Sequence, residues 1–501
     1  MPSSLETAVH PERLRRVVID PVTRVEGHGK VTLLLDDEDR VQQARLHIVE
    51  FRGFEKFIQG RPYWELPVVV QRLCGICPIS HHLAAAKACD RLVGVDRLTP
   101  TAEKVRRLMH FGQVLQSHAL HFFHLASPDL LFGFDDTPAH RNVVGLIQDQ
   151  PDIARRGVLL RKYGQQVIEV CCGKRIHGTG ALPGGVNKAL SGAERADLAA
   201  DIGQIIAWAE DAVDLAERIF TAGGDSYRAF ATVPANALSL VRPDGALELY
   251  DGGLRARDER GATLLDHADV QDYRALLGEQ VKPWSYMKFP FLRALGPERG
   301  WYRVGPLARV GNCSHIDTPR AERARRQLVM AGGDGPLHAA IAIHWARMIE
   351  LLHCAEAIER LLDDADLEGD DLLLEGERRA LGIGVIEAPR GTLLHHYEID
   401  DGGLVTKANL IVSTTHNNQI MNESIREVAR TYLDGRQLTE GLLNRVEVAI
   451  RAFDPCLSCA THAIGRMPLE LELLDSAGHR LDRLRKRADG SLDADAQDSC
   501  C

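Results

Sequence analysis

The sequence predicts a mainly α protein with smaller β regions, an α+β fold. A central bundle of long helices would carry N-terminal and peripheral antiparallel sheets. Three observations predict it. Helical patterns with clear start signals fill 100–127, 191–222 and 336–362. β-rich runs separated by Gly and Asp clusters fill 15–50. The length of 501 residues suits several substructures sharing one extensive core.

In chain order, Arg16–Asp20, Lys30–Leu35 and Ala44–Val49 read as strands. Residues 65–93 read as a helix broken near Pro78, with His81 and His82 just beyond the break. Over 100–127, Thr99 is an N-cap candidate, Pro100 occupies the first helical position and Glu103 suits the helix dipole. His118, His121 and His124 lie three apart there and read as core histidines rather than a metal face. Residues 138–172 are again helical. The Gly-rich run 178–186 lacks the Gly-Lys-Ser/Thr of a phosphate cradle. Ser191 and Glu194 stand at capping-box spacing before the helix to about 222. Residues 225–315 read as an inserted, strand-containing region, with Ala246–Tyr250 as one short strand. After the break at 332–335, Pro336 suits a helix start, and that helix to Leu362 would be about 40 Å long. Leu337, Ile341, Trp345, Met348, Leu352 and Ile358 mark it as a central element. His395 and His396 begin a strand, and helices follow at about 418–433 and 438–452. The expected regions are therefore 1–64, 65–224, 225–316, 317–462 and a C-terminal extension, 463–501.

The formal charge of −10 is scattered, with no basic stripe, which argues against a nucleic-acid partner. No apolar run reaches the roughly 18 residues of a membrane span, and no secretory pattern opens the chain, so a cytoplasmic protein is expected. Eleven cysteines in 501 residues are not a disulfide framework. Cys89, Cys171, Cys172, Cys313 and Cys354 read as small core hydrophobes, and Cys500 and Cys501 end a polar tail.

The remaining four cysteines form two Cys-x-x-Cys pairs, Cys74/Cys77 and Cys456/Cys459, each followed by a His. Two thiolate pairs can converge on one soft or borderline metal centre. Three readings compete: a structural zinc site, a thioredoxin-type dithiol, and a catalytic centre clamped between distant segments. Zinc knuckles keep about 15–20 residues between their pairs, whereas 379 positions separate Cys77 from Cys456. A dithiol site explains one pair and not two.

The flanking residues carry a resemblance. Arg72-Leu73-Cys74-Gly75-Ile76-Cys77 and Asp454-Pro455-Cys456-Leu457-Ser458-Cys459-Ala460-Thr461-His462 are similar to the two metal-binding signatures of the [NiFe] hydrogenase large subunit. The likeness runs from about Val17 to the C-terminus. It is strongest with the soluble, bidirectional, NAD-linked subgroup, which Trp284–Pro290 also resembles. The resemblance implies the large-subunit fold and reversible heterolytic cleavage of H2. It makes Cys74 and Cys456 terminal nickel ligands and Cys77 and Cys459 bridges to an iron that carries diatomic ligands. Arg-Val-Glu-Gly-His implies that Glu26 relays protons from Cys456. Glu55, the Leu410 carbonyl and His462 would hold a magnesium or iron ion. His81 would hydrogen-bond a bridging sulfur, Arg390 would overhang the metals, and Asp454 would orient Arg390. Residues from Ala463 onward would be removed by a maturation protease after metal-insertion factors have acted, so this chain reads as the unprocessed form.

Ser117, Ser413 and His416 depart from residues common in relatives. No third cysteine cluster suits Fe–S ligation, and no Gly-x-Gly-x-x-Gly follows a strand. The chain is thus expected to bind neither an Fe–S cluster nor NAD. It would require an Fe–S small subunit together with a flavin-containing, NAD-linked diaphorase module. Two other functions remain in view: a hydrogen sensor, against which the tail argues, and a quinone-pocket scaffold, against which the four thiols argue.

Overall fold

The computed structural model describes residues 8–461 except 434 and 437, and in the tail the strands Leu469–Leu474, Arg480–Lys486 and Leu492–Ala494. His462 and Ala463, to which the sequence assigns a metal-ligand and a cleavage role, lie outside the described residues.

Four long helices, Pro100–Leu120, Pro151–Cys172, Gly192–Ala222 and Ala342–Leu362, pack together as the centre of the molecule. The start signals read from sequence operate. Thr99 Oγ1 accepts the Ala102 amide at 3.1 Å, and Ser191 and Glu194 form a complete capping box. Helices 100–120 and 151–172 approach closely because two glycines face each other. A Cβ at Gly164 would lie 2.6 Å from the Gly112 carbonyl oxygen, so any side chain there would force the pair apart.

Helix Ala342–Leu362 is buried nearly all round, and its buried polar side chains, Glu350 among them, are paired inside the protein. It starts six residues later than Pro336, and at 1.5 Å per residue it is about 32 Å long. The reason is tertiary. The Ala340 amide donates to the Phe230 carbonyl at 3.3 Å, and the His338 carbonyl accepts the Arg303 guanidinium. These bonds hold 336–340 out of the helix. The 138–172 stretch likewise divides into Val143–Asp149 and Pro151–Cys172, because Pro151 pushes Gln150 out of the helical region.

Around the bundle lie small sheets. Arg15–Ile19, Gly29–Leu35 and Val41–Ile48 form an antiparallel sheet in sequence order. In the inserted region, Tyr302–Arg303 pairs in parallel with Asn236–Val241, followed by Gly253–Arg257 and Thr263–Ala268. Ala246–Tyr250 is not a strand. Its backbone is pinned instead to His315 and Glu387. Leu381–Ala388, Gly391–Ile399 and Val405–Ile411 form a third antiparallel sheet, with His395 and His396 in mid-strand. The sheet packs on helix Pro78–Leu92. One continuous apolar core runs from Val22 to Ala460 and includes the five isolated cysteines read as core residues.

The core also holds neutral histidines. His110 Nε2 donates to the Leu249 and Glu387 carbonyls, both at 3.0 Å, and His416 Nδ1 meets Tyr302 Oη at 2.7 Å. Burial pushes each of these histidines down to about 3. Below about pH 6.5 the unfolded chain therefore takes up protons that the folded chain refuses. Stability is expected to fall between pH 7 and pH 5, by up to about 2 kcal/mol per histidine. Urea midpoints at the two pH values check this, and His416→Gln should flatten the dependence.

Candidate metal centre

The first cysteine pair sits where a turn meets a helix. The 3-10 turn Val70–Leu73 ends at Cys74, and Pro78 opens helix Pro78–Leu92 with Cys77 as its cap. The Ile76 and Cys77 amides both donate to Cys74 Sγ at 3.2 Å, so the loop curls its own backbone around the first sulfur. The second pair follows helix Glu440–Ala452, and a 3-10 turn, Ser458–Ala460, closes it. The Cys456 amide donates to Thr414 Oγ1 at 2.9 Å, and the Leu457 amide donates to the Glu26 carbonyl at 3.0 Å. The four sulfurs all lie within 4.8 Å of one another, and all four residues are buried. Cys74 Sγ and Cys456 Sγ are 3.3 Å apart.

Glu26 reaches the second pair through the same backbone bridge. Its Oε2 lies 3.0 Å from Cys456 Sγ and accepts the Ser458 amide at 3.2 Å, while Oε1 takes the Ser458 hydroxyl. Gly27 permits this contact. Its φ is +82°, and a Cβ there would lie 2.7 Å from the Ser458 nitrogen.

The turn carrying Glu26 is anchored by a buried ionic network. Asp129 accepts Arg24 at 2.5 Å and Arg451 at 2.8 Å, and Glu447 accepts the Thr23 amide at 2.6 Å. Asp129→Ala would leave Arg24 and Arg451 short of counter-charge inside the protein. A loss of about 3–5 kcal/mol is expected in urea unfolding. A loss below about 1 kcal/mol would show that the turn is held by other contacts.

Arg390 occupies the tight connection between strands Leu381–Ala388 and Gly391–Ile399. It donates Nε to the Asp454 carbonyl at 2.5 Å and Nη2 to Asp454 Oδ1 at 3.1 Å. Burial would lower its pKa, but Asp454 and the Cys456, Cys77 and Cys74 sulfurs hold it well above the ordinary value. Its Nη1 is buried with no protein partner. Arg390, Cys77, His81 and Cys456 share the lining of a narrow cavity of about 10 Å³. Arg309 clamps the segment before Arg390, donating to the Ala388 and Pro389 carbonyls at 2.7 and 3.1 Å while pairing with Glu350 and Glu387.

His81 Nδ1 contacts His395 Nε2 at 3.1 Å, and His395 in turn contacts Tyr397 Oη at 2.6 Å. His81 also helps lower the Cys77 thiol, after the larger effects of Cys456, Cys459 and Cys74. His82 packs elsewhere, against Pro67 and Ala181. His118 binds Glu350 and His121 the Arg451 carbonyl. Among the described residues, these histidines join no metal-binding group.

Glu55 and Leu410 also meet. Glu55 Oε1 accepts the Leu410 amide at 2.9 Å. It shares Lys288 Nζ, 3.2 Å away, with Asn409 Oδ1 at 3.1 Å and Glu279 at 3.4 Å. Burial raises the Glu55 pKa against the pull of Lys288.

This donor set fits a metal pair. Burial pushes Cys456 and Cys459 well above the ordinary thiol range, while hydrogen bonds from Cys456, Cys459 and Cys74 hold Cys77 well below it. Four clustered thiols cannot all ionise in an apolar interior without divalent charge. A cationic guanidinium with a spare donor lines the same cavity as Cys77 and Cys456.

Comparison with known proteins agrees. A family model described as HoxL-like matches residues 16–51, and one described as Nickel-dependent hydrogenase matches 52–132 and 256–462. The chain belongs to the nickel-dependent hydrogenases. Its relatives include the NAD-reducing hydrogenase HoxS subunit beta of Cupriavidus necator, 48% identical over 93% of this chain and 99% of that protein. The matching chain of the F420-non-reducing hydrogenase of Methanothermobacter thermautotrophicus is 41% identical over 94% of this chain and 100% of that protein. A crystal structure of an NAD+-reducing [NiFe]-hydrogenase in the H2-reduced state superimposes with a TM-score of 0.88 at 60% identity. It covers 89% of this chain and 99% of the solved one. The hydrogenase large-subunit fold expected from the two signatures is thus the fold observed. Among the described residues of this hydrogenase, no helix is long and apolar enough to cross a membrane.

Sequence reasoning missed several groups that position this hydrogenase site: Thr414, Arg309, Asp129 and Lys288. Each acts on a partner far away in the chain, so no local spacing announces it.

Proposed function

We infer that this chain is the catalytic subunit of an NAD-reducing [NiFe] hydrogenase, performing H2 = 2 H+ + 2 e−. One observation carries the inference: four buried thiols from opposite chain ends meet beside a carboxylate, in a chain 48% identical to a named NAD-reducing hydrogenase. Cys74 and Cys456 would hold nickel alone, and Cys77 and Cys459 would join it to an iron with diatomic ligands. When bound, the metal pair supplies the Lewis acidity that polarises H2, which no side chain provides unaided.

The protein's own residues do the rest. Cys456 Sγ accepts one proton, and Glu26 Oε2, 3.0 Å away, carries it outward. Ser458 holds that carboxylate in place through its amide and hydroxyl. Asp454 fixes the plane of Arg390, whose Nη1 remains available to the reacting species. The burial of all four cysteines keeps water from competing for the proton. Electrons would leave through an Fe–S small subunit toward a flavin diaphorase; a relative named as one subunit of an NAD-reducing hydrogenase supports a multisubunit assembly.

Glu55 and the Leu410 carbonyl, with His462, would hold the second ion, magnesium or iron. Removal of residues from Ala463 onward would free His462 for it.

The test is the co-expressed complex. It should carry nickel, with iron in excess of nickel because the Fe–S clusters add to the iron of the centre, reduce a viologen dye with H2 and reduce NAD with H2. Dye reduction without NAD reduction would remove the NAD link, and a metal-loaded complex inert to H2 would end the proposal.

A further inference from the structure

A second cavity, of about 310 Å³, lies between the inserted region, helix Pro306–Asn312 and the loop before helix Ala342–Leu362. It shares no lining residue with the cavity at the cysteines. Its size is at the lower end for sites that enclose a small organic ligand. Leu307, Leu328 and Leu337 make much of its wall apolar.

Six lining side chains are polar: Arg257, Asp258, Arg303, Asn312, Asp334 and His338. Arg257 Nε, Arg303 Nε and His338 Nδ1 are all buried, and none has a hydrogen-bond partner. Arg303 is 4% exposed. Its other nitrogens donate only to carbonyls, of Val233 at 2.7 Å and of His338 at 3.3 and 3.4 Å. Among the described residues no carboxylate pairs with it. Burial alone pulls it down to about 10, with no opposing charge. A cation so enclosed costs stability unless an anion meets it. His338 Nε2 donates to the Glu259 carbonyl at 2.8 Å, which leaves Nδ1 as a lone-pair acceptor. The cavity therefore offers two cationic donors and one acceptor beside apolar walls; of its two carboxylates, Asp258 is taken up by the Arg260 and Ala262 amides at 2.9 and 2.8 Å, and Asp334 is exposed at the rim.

We propose that this cavity binds a small organic oxyanion, a carboxylate or phosphate ester with an apolar body and one hydroxyl or amino donor. The guanidiniums of Arg303 and Arg257 take the oxyanion, as planar forks suited to carboxylate and phosphate. His338 takes the donor.

The test titrates the full-length chain with 4-hydroxybenzoate, 4-hydroxyphenyl phosphate and the neutral 4-hydroxybenzamide, read by calorimetry. At least one anion should bind, and the amide should bind about tenfold more weakly or worse, since a hydrogen bond to a charged group is lost. The tighter anion identifies the carboxylate or phosphate class. Arg303→Met should weaken that anion about tenfold while leaving the amide unchanged. Arg257→Gln, at a more exposed position, should weaken it several-fold and decides the matter if the first variant does not fold. Absence of anion binding, equal binding of the amide, or wild-type affinity in the folded variants would overturn the proposal.

Discussion

Glu26→Gln is expected to slow hydrogen–deuterium exchange and H2-driven dye reduction by about 10²–10⁴-fold, with nickel and iron content unchanged. The carboxylate contacts Cys456 Sγ and also accepts two bonds from Ser458. Glutamine keeps the length, and its amide oxygen can still accept the Ser458 amide. It cannot take a proton from sulfur. The variant thus separates holding the loop from moving the proton. The control is Glu26→Asp, which restores the acid but withdraws it by one methylene, and should recover part of the rate. Full exchange in the Gln variant would take Glu26 out of the proton path.

Cys77→Ser should abolish nickel loading, leaving less than about a tenth of wild-type nickel, and activity should vanish with it. Hydrogen bonds from Cys456, Cys459 and Cys74 hold the Cys77 thiol well below the ordinary range, so it is ready to ionise onto a metal. A serine hydroxyl is nearly isosteric, but it does not ionise near neutral pH and is a hard ligand. The fold should survive, because serine caps a helix as readily as cysteine. Unchanged circular dichroism with lost metal is therefore the expected pair of results. Retained nickel would mean that the centre does not need this sulfur.

The fold was legible where signals are local. Thr99 and Ser191 stop the chain's wandering at helix starts, and both caps form as their side chains allow. Pro336 misled because a start signal competes with tertiary bonds, and Arg303 and Phe230 hold that segment elsewhere. Ala246–Tyr250 misled for the same reason, since β-rich composition does not supply a neighbouring strand. At the site, the cysteines could be read because metal chemistry forces a short spacing within each pair. Glu26, Glu55 and Arg390 were readable only through likeness to a family, since a lone carboxylate or guanidinium in a turn carries no spacing at all. Lys288 escaped even that route. Its partners Glu55, Asn409 and Glu279 come from three separate segments.

The junction of Glu26 with Leu457 has a consequence for biosynthesis. A ribosome adding about 5–20 residues per second needs roughly 20–75 seconds to travel from Cys77 to Cys456. Throughout that interval the nascent polypeptide displays one half of its ligand set, two reducing thiols with nothing to grip. Loading the centre must wait for translation to near its end, and the early pair depends on a reducing cell or an escort until then.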